Sequence, residues 1–229
     1  MNDVARAEGP PAPPRAERAP VDAIVIVHGL WMNGLAMDLW RRRLAAHGFS
    51  AHVFRYPSVS QDLAANAARL ADFVAEVPGG VVHYLGHSLG GVLIGAMLER
   101  ATAPRPGRVV SLGSPFMGSQ IGARLARRGS AFRRFVGASI GDLNARGGLG
   151  EWRASQPLGV IAGDRPLGVG RLLGGFGEPN DGTVAISETR VRGAADHIVL
   201  PITHTSMLWS RLALDQALAF LTSGRFRRA

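Results

Sequence analysis

The chain has 229 residues, 46% of them hydrophobic, enough to bury a substantial core and few enough to form one domain. It holds no cysteine, which excludes disulfides, thiolate nucleophiles and cysteine-ligated metals, and its 26 basic residues are all arginine, which excludes lysine Schiff-base chemistry. The net charge of +9 would suit nucleic acid or anionic lipid, but the arginines are spread along the chain and flank no recognisable nucleic-acid motif, so they read as a solvated surface with no nucleic-acid partner.

Residues 1–20 contain proline, alanine and charge but no apolar run of the kind a secretory signal needs. They are expected to form a disordered leader, with a single folded domain over residues 21–229. The longest apolar stretches are strand-sized and fall well short of the roughly 18 to 20 residues of a membrane span, so no stable membrane insertion is expected. The lack of cysteine agrees with a cytoplasmic address.

Short β-branched runs at Ala23 to Val27, Ala51 to Tyr56, Val81 to Gly86, Arg108 to Gly113, Leu158 to Gly163 and His197 to Ile202 read as buried strands. Helical spacing at Leu35 to His47, Leu63 to Val77, Leu89 to Ala101 and Ser206 to Leu221 alternates with them, which predicts a mostly parallel sheet of about six strands with helices on both faces. The Leu63 to Val77 helix, with one apolar stripe, is scaffold.

After the first strand, His28-Gly29-Leu30-Trp31 forms a turn in which Gly29 permits an unusual backbone angle and Leu30 offers an amide. His28 is expected to hold this loop by a side-chain bond. Trp31, Met32 and Met37 either line an apolar substrate site, with Trp31 the candidate binding residue, or belong to the core. The third strand runs into Gly86-His87-Ser88-Leu89-Gly90-Gly91 and then an apolar helix, the setting a G-x-S-x-G nucleophile elbow requires. Glycines two positions either side of Ser88 allow the sharp turn that lifts its hydroxyl above the sheet. Leu30 and Leu89 supply the two N–H groups an oxyanion needs. His87 is expected to pack, with its ring hydrogen-bonded nearby.

Further on, Ile121 to Val136 places Ile121, Leu125, Phe132, Phe135 and Val136 on one helical face and crowds arginines elsewhere; it is a small lid, a surface for anionic lipid, or a scaffold helix, with Gly129-Ser130 interrupting the pattern. Two aspartates follow the fifth strand. Asp181, in Asn180-Asp181-Gly182-Thr183-Val184, is favoured over Asp164 because its tight turn fixes a carboxylate toward an imidazole, whereas Asp196 begins the next strand at the opposite end. His204, just past the last strand, is the one histidine of seven placed to act as base for Ser88.

From Val21 to about Thr222 these features resemble the α/β-hydrolase superfamily, in particular its small bacterial lipases and esterases. The motifs that carry the resemblance are His28-Gly29-Leu30, Gly86 to Gly91, Leu112 to Pro115, Asp181 to Val184 and His204. It implies an α/β-hydrolase fold and a serine esterase or lipase of triad Ser88, Asp181 and His204 acting on a small-molecule or lipid ester; the chain departs from larger members in leaving no room for a large cap domain and in lacking their two N-terminal strands, and a monomer is expected. No metal or other cofactor is expected, and peripheral lipid contact is compatible with the pattern. Thioesterase, amidase or acyltransferase chemistry on the same triad is the alternative within enzymes; a non-catalytic binding protein is the alternative outside them.

Overall fold

The computed structural model describes residues 21–32, 35–168, 170 and 175–228. The expected leader, part of the glycine-rich loop between Asp164 and Gly182, and the side chains of Leu35, Arg133 and Phe135 lie outside the described residues. The elements are β1 (Ala23–Val27), α1 (Leu35–Ala46), β2 (Ser50–Phe54), α2 (Leu63–Ala75), β3 (Val82–His87), α3 (Leu89–Leu98), β4 (Val109–Leu112), α4 (Gln120–Ala126), α5 (Ser130–Val136), α6 (Ala138–Ala145), β5 (Leu158–Gly163), α7 (Ile186–Thr189), β6 (Asp196–Leu200), a 3-10 turn (Ser206–Leu208) and α8 (Arg211–Ser223).

The six strands form one sheet in the order β2-β1-β3-β4-β5-β6, and every neighbouring pair is parallel. The inner strands β1, β3, β4 and β5 are buried throughout, which explains their near-continuous apolar runs; β2 and β6, also expected to be buried, are edge strands and only partly so. Alternate side chains of β1 divide between two cores: Ala23, Val25 and Val27 pack with Leu63, Leu70, Val92 and Leu93 of α2 and α3, while Ile24 and Ile26 pack with Trp40, Leu44, Ala217 and Phe220 of α1 and α8. Each fully buried aliphatic side chain contributes roughly 1.5–3 kcal/mol. In α2 the expected stripe is buried at Leu63, Ala67, Leu70 and Val74, and Asp62 caps the helix by accepting the Ala65 N–H at 2.6 Å. Met37 is fully buried in the second core.

Two helical expectations change. The run from Ser206 is a 3-10 turn followed by a separate helix, because Ser210 adopts an extended backbone and its hydroxyl accepts the Ala213 N–H, starting α8 at Arg211. The run from Ile121 to Val136 is divided into α4 and α5 at Gly129, whose φ of +125° favours glycine. With α6, these helices make up most of the excursion between β4 and β5, and no separate cap domain appears among the described residues. Among the described residues no helix is long and apolar enough to cross a membrane.

The strand order places the switch in chain direction between β1 and β3. The turn after β1 and the turn after β3 therefore flank the crevice at the carboxyl edge, where parallel sheets receive ligands.

Candidate active site

Ser88 stands at the β3–α3 junction with φ 54° and ψ −124°; only it and Trp31 among the described non-glycine residues have positive φ. The close packing that the sequence implied is present. A β-carbon on Gly86 would run into the Gly91 backbone, and one on Gly90 into the carbonyls of Val27 and His28. Ser88 N–H donates to the Leu112 carbonyl at 2.8 Å, which ties the turn to β4. Leu89 is the first residue of α3, so its N–H is among the unpaired donors at a helix start.

Facing the elbow is the Gly29 turn. A β-carbon on Gly29 would lie 3.0 Å from Ser88 Cβ and 3.2 Å from His87 Nδ1, tighter than ordinary packing, so a side chain there would push the two turns apart. His28 holds this loop. Its Nε2 accepts the Tyr56 N–H at 3.3 Å, which leaves Nδ1–H to donate to the Gly29 carbonyl at 2.8 Å, and its ring stacks on Tyr56 at 4.5 Å. Burial lowers the pKa of His28, consistent with this neutral tautomer. With Gly29 so fixed, the Leu30 N–H is left without a partner among the described residues, and Trp31 N–H is held by the buried Ser58 hydroxyl at 3.2 Å.

Of the two competing aspartates, Asp181 is the one that meets the histidine. Its Oδ2 lies 2.7 Å from His204 Nδ1, while Oδ1 accepts the N–H groups of Thr183 at 2.9 Å and Val184 at 2.7 Å. The main chain reinforces the link, with His204 N–H donating to the Asp181 carbonyl at 2.8 Å. Both side chains are buried. Asp164 is exposed, and its nearest charged partner is Arg165 at 3.8 Å. Asp196, at the far end of β6, accepts from Phe226 N–H and Arg228.

Ser88 and His204 line one cavity of about 260 Å³ with Leu30, Trp31 and Met32. The half-buried Ser88 hydroxyl has no hydrogen-bond partner among the described residues; nucleophile and base commonly close to bonding distance only once substrate is bound. Ile121 and Leu125 of α4, Val136 of α5 and Ile140 of α6 supply the facing apolar wall. The segment expected as a lid, a surface for anionic lipid or a scaffold helix thus contributes a wall of the cavity. Trp31 is at the cavity and 49% exposed.

Sequence reasoning expected His87 to pack with its ring hydrogen-bonded but did not name its partner, and it missed the roles of Gly113 and Glu188. The His87 Nε2–H donates to the His204 carbonyl at 3.1 Å and its ring lies 4.7 Å from the His204 ring. Burial, with the neighbouring His204 adding, pushes its pKa down to about 3, so it stays neutral. Gly113, after β4, has φ +59° and sits beneath the acid and base; its LGSP context was noted without a role. Glu188 of α7 is buried and accepts the N–H groups of Gln120 and Ala185, joining the start of α4 to the end of the acid turn. Its bond to Ala185, three positions back, is a local helix cap, but nothing local points to Gln120, 68 positions away.

The chain belongs to the alpha/beta hydrolase family, whose model matches residues 24–224. Among solved structures it is similar to the mature Bacillus licheniformis lipase BlEst2, with a TM-score of 0.72 and 20% identity over 92% of this chain and 96% of that one. It is also similar to the metagenomic carboxyl esterase MGS0156, at TM-score 0.62 and 20% identity over 88% of this chain and 71% of that one. A third likeness is to the RedJ thioesterase of the prodiginine pathway in Streptomyces coelicolor, at TM-score 0.53 and 20% identity over 92% and 90% of the two chains. No curated protein matches the chain in sequence. At these identities the likenesses establish the fold.

Two predictions follow from the geometry. A β-carbon on Gly113 would lie 2.9 Å from Asp181 Oδ2 and 3.0 Å from His204 Nδ1. Gly113→Ala is therefore expected to displace the imidazole and lower kcat on a soluble ester on the order of 10²-fold with little change in KM, measured by steady-state kinetics. The second concerns pH. Burial pushes the Glu188 carboxyl up to about 7 from an ordinary 4.5, against its two amide bonds and with Asp181 and Glu178 adding in the same direction. Its folded value lies above its unfolded one, so the stability contributed by the protonated form is full below 4.5 and lost as pH rises through 7. Melting temperature should fall more steeply for the parent than for Glu188→Gln between about pH 5 and 8; parallel curves would contradict it.

Proposed function

We propose that the chain is a carboxylic ester hydrolase that works through an acyl-enzyme on Ser88, with His204 as base and Asp181 as its orienting acid. The observation that carries the proposal is the 2.7 Å contact between Asp181 and His204 Nδ1 beside a cavity that Ser88 also lines. With Nδ1 engaged by the carboxylate, Nε2 is the nitrogen left to take the serine proton.

In the proposed cycle Ser88 Oγ attacks the ester carbonyl carbon as its proton passes to His204. The N–H groups of Leu30 and Leu89 receive the negative charge that develops on the carbonyl oxygen. His204 returns the proton to the departing alcohol as the carbon–oxygen bond breaks, leaving the acyl group on Ser88. A water molecule attacks that acyl group with its proton taken by His204, and collapse releases the acid and the serine hydroxyl. Throughout, Asp181 stabilises the imidazolium. The wall of Ile121, Leu125, Val136 and Ile140 suits an apolar acyl group.

Ser88→Ala should abolish turnover of a short-chain p-nitrophenyl ester with the fold intact by circular dichroism. Asp181→Asn should lower kcat on the order of 10⁴-fold, as loss of the acid does in other triads, and Asp164→Asn should leave it unchanged. Reversed effects of the two aspartates would overturn the acid assignment. Rates on oxygen esters, thioesters and amides of matched acyl length separate ester hydrolysis from the other reactions open to this triad.

A further inference from the structure

The Leu30 N–H belongs to the Gly29–Leu30 peptide, whose carbonyl accepts the His28 Nδ1–H at 2.8 Å. In a planar trans peptide the N–H points opposite to the carbonyl, so this bond turns the Leu30 N–H away from the His28 ring. The next peptide, Leu30–Trp31, has a different holder. Its N–H donates to the Ser58 hydroxyl at 3.2 Å, across 27 positions of sequence. Trp31 has φ 57°, a region where a residue with a β-carbon rests only when its surroundings hold it there. Rotation of the Leu30–Trp31 peptide would return Trp31 to negative φ and carry its N–H away from Ser58. The Ser58 bond opposes that rotation.

Ser58 is itself fixed from both sides. Tyr56, two positions before it, stacks on His28 at 4.5 Å and donates its hydroxyl proton to the His28 carbonyl at 3.0 Å. Pro57 restricts the backbone in between. On the other side the chain is fastened to α6, where the Val59 carbonyl accepts the Ala138 N–H at 3.1 Å and the Gln61 carbonyl accepts the Ser139 hydroxyl proton at 2.9 Å. Ser58 is only 5% exposed, so little solvent competes for its hydroxyl.

We propose that Ser58 is a positioning residue for the turn from Gly29 to Trp31. Its hydroxyl keeps the Leu30–Trp31 peptide from rotating, so that Leu30 presents its N–H, and Trp31 its side chain, in one arrangement before substrate arrives. Both residues line the cavity that Ser88 lines. The catalytic consequence rests on the ester-hydrolase proposal, with Leu30 as an oxyanion donor; the bracing of the turn does not. A donor held in advance receives developing charge without reorganising at that moment, so its loss falls on the transition state more than on the bound ester.

The test compares Ser58→Ala, Ser58→Cys and Ser58→Thr in the full chain. Removing an oxyanion donor outright costs about 10²- to 10³-fold in kcat; Ser58 acts through the turn, so Ser58→Ala should lose on the order of tenfold on a short-chain p-nitrophenyl ester, with KM changed less than about twofold. Affinity for an alkyl trifluoromethyl ketone, whose carbonyl oxygen becomes an oxyanion when Ser88 adds to it, should fall by a similar factor. Ser58→Cys keeps the volume but offers a weak acceptor and should match alanine, whereas Ser58→Thr keeps the hydroxyl and should recover most of the rate. As a control, Ser210→Ala removes a bond of the same kind, from the Ala213 N–H at 3.2 Å, and should lower the melting temperature by a comparable amount with kcat retained. Independently of turnover, hydrogen exchange at the Trp31 amide should quicken in Ser58→Ala and stay near the parent rate in Ser58→Thr.

Unchanged kcat and inhibitor affinity in Ser58→Ala would overturn the proposal, and so would a full rate in Ser58→Cys. Equal losses of kcat in Ser58→Ala and Ser210→Ala would also overturn it, by reducing Ser58 to a general contribution to stability. Absence of ester turnover in the unsubstituted protein would overturn the catalytic proposal alone, and exchange at Trp31 would still decide whether Ser58 braces the turn.

Discussion

Everything in the site hangs on one tight crossing, where β3 turns into α3 with Ser88 in a backbone region that side chains rarely adopt. Such a residue costs of order 1–3 kcal/mol and persists only where its surroundings over-determine it. Here they do. Val82 to His87 are buried along the whole strand, and every residue of α3 is buried, so the junction is held from both ends by the core. Room for the turn exists because its contacts are glycines: Gly86 against Gly91, Gly90 against the Val27 and His28 carbonyls, Gly29 against Ser88 itself. The placement of Ser88 is thus a consequence of core packing more than of any bond made by its hydroxyl.

Around this crossing, electrostatics are arranged so that positive charge has one place to go. His28, His87 and His204 lie close together, but burial lowers the pKa of the first two. Each acts instead as an oriented donor, His28 to the Gly29 carbonyl and His87 to the His204 carbonyl. A second imidazolium beside His204 would oppose the one that forms there during proton transfer, and neutral rings avoid that opposition. Among the described residues the single carboxylate in bonding contact with an imidazole of this group is Asp181, at His204 Nδ1. In the proposed cycle the charge therefore appears where its counter-ion already stands.

The sequence was most legible where a local pattern carries the geometry. β-branched runs located all six strands to within two residues at each end, and glycines two positions either side of Ser88 announced the elbow. The turn Asp181-Gly182-Thr183-Val184 was read as one that aims a carboxylate, and the two amides on Oδ1 show how it does so. Legibility ended where geometry depends on distant partners. Nothing near Glu188 points to Gln120, and nothing near His87 points to His204, 117 positions later. The split at Trp209-Ser210 was missed because the apolar periodicity continues through it, while the capping hydroxyl of Ser210 competes and wins.

Glu188 joins parts of the molecule that an active site usually keeps separate. One oxygen takes the N–H of Gln120, at the start of the helix that walls the cavity; the other takes the N–H of Ala185, next to the acid turn. Its own carbonyl accepts the Met117 N–H at 2.9 Å, so the chain entering α4 is fastened to α7 twice. Leu125 and Ile121, which line the cavity, are thus connected to the turn that holds Asp181 against His204. A buried carboxyl holding two amides resists displacement, because any movement that breaks one bond leaves a buried polar group unpaired at a cost of roughly 1–3 kcal/mol. The apolar wall and the Asp181–His204 pair are therefore tied through one buried side chain, and a shift of α4 that kept these bonds would have to carry the Asp181 turn with it.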